Sequence, residues 1–163
     1  MYYQGILAAH SLLRWLILLF LIINIANSLV EADTPYTKKD KSWNLRLLIV
    51  AHLNLLTGLY QYIFGGKGLN YFTDKVAYPD FGRDVMANAV NRFWAVEHIT
   101  GMIIAIVIIT LTRRIAKNDN IDPKSKNKKL AIMYITALVI ILACIPWPFR
   151  FDGVPWFRGF GLN

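Results

Sequence analysis

The sequence predicts an all-α polytopic membrane protein, a single bundle of four transmembrane helices, on three observations. First, 56% of its 163 residues are hydrophobic and the mean hydropathy is +0.40, too apolar for an ordinary soluble domain. Second, four apolar runs each approach the about 20 residues that cross a bilayer as a helix. Third, Lys and Arg gather in the segments between those runs. None of the runs alternates, which favours helices over barrel strands.

The first run, GILAAHSLLRWLILLFLIINIANSLV, covers residues 5–30. Signal h-regions run only about 7–15 residues behind a basic n-region. MYYQG carries no base, so the run reads as a retained transmembrane helix. The second span is expected over residues 45–65, the third over 92–112, and the fourth over 130–147, stopped by Pro146 and Pro148. Between the second and third lies a long connection, residues 66–91, in which GRDVMANAVNRFW predicts a short helix. The lysine-rich NDNIDPKSKNKK reads as a solvated turn. The tail, residues 148–163, holds too much Pro and Gly for a helix and is expected along the outer surface or on a partner.

Eleven bases flank the first and third connections, against seven at the opposite side. By the positive-inside rule this places the two basic connections in the cytoplasm. Both termini, loop 66–91 and the tail are then expected on the periplasmic side. The net charge of +8 therefore reports topology and argues against a nucleic-acid partner. Cys144 is the only cysteine, so no intrachain disulfide is possible. No nucleotide motif, phosphate loop or nucleophile triad is present, and no catalytic residue is assigned.

The polar residues inside the spans carry the functional question. All three histidines, His10, His52 and His98, fall in apolar runs, and Glu97 and Arg14 accompany two of them. Ionisable groups at membrane depth are costly and point to function by default. At about 1.5 Å per residue, His10 lies roughly 10 Å outward of mid-span and His98 roughly 6 Å outward. His52 lies about 4–5 Å to the cytoplasmic side. His10 and His98 are thus the pair matched in depth, and as neutral imidazoles they suit iron in a b-type haem. The expected ligands are these two, on neighbouring helices. Arg14 follows His10 on the same helical face and would answer a propionate or pair with Glu97. His52 is an alternative ligand or a quinone hydrogen bonder. The competing reading makes these residues polar glue between helices. No His pair at i, i+4 and no cysteine cluster supports zinc.

LAAHSLLRW, AHLNLLTGLY, RFWAVEHITGMIIAIVIIT and IPWPFR together resemble a family of small four-helix inner-membrane proteins of Bacteroidota labelled cytochrome b-like. The resemblance spans most of residues 5–150, and the family's histidine positions fall on His10, His52 and His98. It implies a membrane haem protein in respiratory electron transfer, with quinone as one candidate partner. Two further readings stand beside it. One is a haem-free accessory subunit of a larger inner-membrane complex. The other is a relay channel through Glu97 and the histidines.

Overall fold

The computed structural model describes residues 2–30, 32–150 and 153–157, and its described residues form helices and turns with no strand. Four helices are long and apolar enough to cross a membrane: α1 (Tyr2–Val30), α2 (Lys38–Phe64), α3 (Ala89–Lys117) and α4 (Pro123–Cys144). The chain is an all-α four-helix bundle and a multi-pass membrane protein. Ile22, Leu56 and Val139 are each more than half exposed on its flanks, surface that suits lipid rather than water. Leu21, Leu47, Ile109 and Leu130 fill the axis between the helices.

α1 packs on α2 and α4, and α3 packs on the same two. α1 and α3 therefore face each other diagonally across the core. The N-terminal turn of α1, the 65–88 connection and the described tail share one end of the bundle. The other two connections, flanked by the lysines at the ends of α2, α3 and α4, share the other.

The helices outrun the apolar cores that revealed them, because capping residues stand beyond the hydrophobic stretch. α2 starts at Lys38 rather than near residue 45, on a reciprocal capping box: Thr37 Oγ1 accepts from the Asp40 amide at 3.3 Å and Asp40 Oδ2 from the Thr37 amide at 2.8 Å. α4 starts at Pro123, with Asp122 capping the Ser125 amide at 3.1 Å and proline in the first turn. Most of the expected basic turn is thus helix, and Lys126 and Asn127 are buried in it. α4 ends at Cys144, before the expected 147, because Ile145 precedes a proline and is extended at ψ 132°.

The GRDVMANAVNRFW segment is divided rather than a single short helix. A π-helical turn, Phe81–Met86, comes first, and α3 restarts where the Asn88 side chain caps the amides of Val90 and Asn91. At the head of this connection Gly68 has φ +94°, and a β-carbon there would lie 2.4 Å from the Tyr62 ring.

At the basic end the spans are joined by a closed polar network. Asn44 Nδ2 donates to Thr112 Oγ1 at 2.9 Å and to the Tyr134 hydroxyl at 2.7 Å, all three residues being fully buried. Arg113 Nη1 donates to the Lys41 carbonyl at 2.6 Å and to Asn44 Oδ1 at 3.3 Å. Helices α2, α3 and α4 each supply a member, as polar packing between membrane helices requires.

Candidate functional site

At the other end the bundle encloses two adjoining cavities. The larger, about 390 Å³, lies among Tyr3, Gln61, Trp94 and the tail residues Val154 and Pro155. That volume falls in the range of small-molecule sites, about 300–1,000 Å³. The smaller, about 70 Å³, runs deeper between apolar side chains including Leu55, Met102 and Ile141. His10, Arg14, Gly58, Tyr62 and His98 line both.

The two imidazoles come from α1 and α3, which are diagonal partners rather than the neighbours expected. Each ring is oriented by a helix beside it. His98 Nδ1 donates to the carbonyl of Cys144 at 2.7 Å, across the α3–α4 contact. That contact is close because Gly101 has no side chain: a β-carbon there would fall 2.2 Å from Cys144 Sγ. His10 Nδ1 lies 3.1 Å from Thr57 Oγ1 on α2. Thr57 Oγ1 in turn reaches the Asn54 carbonyl at 2.9 Å, so the hydroxyl that holds His10 is itself anchored on α2. Each ring is thus engaged by the protein through Nδ1. Gly58 makes room for the first of them, since a β-carbon there would stand 3.1 Å from His10 Cε1.

His98 follows directly on a second π-helical turn, Phe93–Glu97, closed by its own amide donating to the Phe93 carbonyl. Such turns recur at functional sites because they change the facing of the residues they carry. Tyr62 ties this turn to α2, its hydroxyl donating to the Ala95 carbonyl at 2.9 Å. Phe93 and Trp94 flank the His98 ring, each with its centroid 5.7 Å away.

Glu97 lies outside the lining of both cavities. Its carboxylate meets Arg92 Nε at 2.7 Å and Arg150 Nη2 at 3.8 Å. Arg14 is not its partner. Arg14 Nη2 donates to the tail carbonyl of Trp156 at 2.6 Å, which also accepts from Trp15 Nε1 at 3.3 Å. Arg14 Nε is buried without a hydrogen-bond partner among the described residues. His52 stands apart from the cavity on the exposed flank of α2, its Nδ1 donating to the Leu48 carbonyl at 2.8 Å.

Sequence reasoning did not find Thr57, the Cys144 carbonyl or the Trp156 carbonyl, since contacts between helices leave no local spacing to read. The tail is expected on the outer surface or on a partner; its described part lies at the surface, with Phe149 and Trp156 more than half exposed, and from there Val154 and Pro155 wall the cavity while the Trp156 carbonyl meets Arg14. Among the described residues no group of three or more His, Cys, Asp and Glu is placed to hold a metal ion. Two imidazoles, a guanidinium and mostly apolar walls thus meet in one place. Comparison with protein-family models, with curated proteins and with solved structures finds no match.

Proposed function

We propose that this chain is a b-type cytochrome of the bacterial inner membrane, in which His10 and His98 would hold the haem. The observation that carries the reading is the pair of imidazoles itself: two rings from diagonal helices line one cavity, each held by the protein at Nδ1. Metal-bound histidines are held by their second nitrogen in this way. A haem in this site supplies a one-electron carrier whose potential the two imidazoles and the apolar walls adjust. Thr57 and the Cys144 carbonyl orient the ligands, and Arg14 stands ready for an anionic substituent. The basic end suits the cytoplasmic face, which puts the cavity in the periplasmic half of the bilayer and both termini on that side. Quinol from the membrane is then one candidate electron donor.

The test is a dithionite-reduced minus air-oxidised visible spectrum of the protein in mild detergent. Sharp reduced bands of a six-coordinate b haem are expected, lost in His98→Ala and His10→Ala and kept in His52→Ala. A flat spectrum from folded protein with no extractable haem sinks the reading.

A second reading draws on His52. Its Nε2 has no partner among the described residues and sits on a flank otherwise made of Ile49, Leu53 and Leu56. A donor from a neighbouring helix in a larger inner-membrane complex would answer it. A colourless protein that travels with large subunits in mild detergent would favour this role.

A further inference from the structure

We infer that the cavity is a site for an anionic amphiphile, with Arg14 and Lys67 as its anion-recognising pair. The inference rests on the cavity being a ligand site, and it does not require iron. Charge is the first argument. The larger cavity is lined by Arg14 and Lys67, and no aspartate or glutamate lines either cavity among the described residues. Glu97, next in sequence to His98, is turned away and neutralised by Arg92 and Arg150. Among the described residues the bases at the mouth are thereby left without a carboxylate of their own.

Satisfaction is the second argument. Arg14 gives one nitrogen to a neutral carbonyl and keeps a buried Nε–H with no acceptor among the described residues. A buried unpaired donor on a cation is costly, and a carboxylate or phosphate oxygen is the partner that answers it best. Lys67 holds its ammonium 4.9 Å from the Trp94 ring centroid, at the cavity wall. Shape is the third argument. The polar mouth narrows into an apolar slot, so a ligand carrying both an acidic head and a greasy body fits the two parts together.

Haem propionates and the carboxylate of a membrane fatty acid share this chemistry, and binding measurements separate them. Quenching of tryptophan fluorescence, with Trp94 in the wall, reads binding of four probes to the full chain: haemin, its dimethyl ester, oleate and oleyl alcohol. An acid is expected to bind about tenfold tighter than its neutral counterpart. Arg14→Gln should erase that preference, Arg14→Lys should restore part of it, and Lys67→Gln should weaken it a few-fold. Lys67 is exposed on a loop, so its variant tests the point with the fold intact. Preference for haemin alone identifies a prosthetic group. Preference for oleate alone, with no haemin bound, supports the inference while overturning the cytochrome reading. Acids and neutral counterparts binding equally overturn the inference and leave the cytochrome reading in place; no binding by any probe overturns both.

Discussion

The two halves of this bundle handle the same problem, polar side chains in an apolar solvent, in opposite ways. At the basic end Asn44, Thr112, Tyr134 and Arg113 spend their hydrogen bonds on one another and on backbone carbonyls, with no exposure at the first three. At the cavity end His10 and His98 are each held at Nδ1, Arg14 Nε has no partner among the described residues, and all three line the cavity. Residue type does not separate the two cases. The separation lies in whether every donor and acceptor has an answer within the chain, because a group held ready for a ligand must be left open before it arrives. Asn24 Oδ1, Ser28 Oγ and Asn54 Oδ1 are also buried without partners among the described residues, but they are neutral groups, for which the cost is a modest about 1–3 kcal/mol.

Substitutions can break or sharpen this contrast. The largest effect on stability is expected at Gly101→Ala, where the new methyl group collides with Cys144 and wedges α3 from α4. A loss of about 2–3 kcal/mol is expected in a detergent unfolding titration. Adding Cys144→Ala should return most of it, while the Cys144 carbonyl that holds His98 stays in place. No recovery in the double variant would show that the collision lies elsewhere.

Asn44→Leu comes next. It removes two donated bonds and one accepted bond, and membrane hydrogen bonds average near 0.6 kcal/mol each, so about 1–2 kcal/mol should be lost. Ligand affinity at the far cavity should not change. A shift of more than a few-fold would mean that the two halves are coupled.

Gly58→Ala reverses the pattern. Its methyl group presses on the His10 ring, so binding should weaken several-fold in the fluorescence titration while the unfolding midpoint moves by less than about 1 kcal/mol.

The smallest effect concerns the exposed loop. The hydrogen bond from Lys41, then that from Lys126, holds the Asp119 carboxyl below the usual range. A depressed acid stabilises the fold above its unfolded pKa, about 3.9, and loses that contribution as pH falls through the folded value. Asp119→Asn should therefore melt slightly earlier than wild type at pH 7 and alike near pH 2, in a pair of thermal scans.

The spans were legible because a bilayer demands unbroken apolar runs, and four such runs leave few alternatives. Their ends were not legible, since Thr37, Asn88 and Asp122 cap helices in stretches too polar to read as membrane. Depth counting along α1 and α3 paired His10 with His98, and those two residues do line one cavity. The same counting said nothing of azimuth, which is why the exposure of His52 and the outward turn of Glu97 required the packing of neighbouring helices. Thr57 lay in plain view in LNLLTGLY, but its role follows only from which ring it meets across the α1–α2 contact.

The wide turn at Phe93–Glu97 also bears on how the third span tolerates changes in chain length. A regular α-helix advances about 100° per residue, so removing a residue near Ile103 would swing everything on one side by that angle. A π turn absorbs one residue without disturbing the phase of its flanks. Deleting Val96 should therefore convert the turn to ordinary helix while the downstream half keeps its buried stripe of Ala105, Ile109 and Thr112 in place. One residue can be removed from this span without rotating its ends, and its place is fixed by the turn that precedes His98.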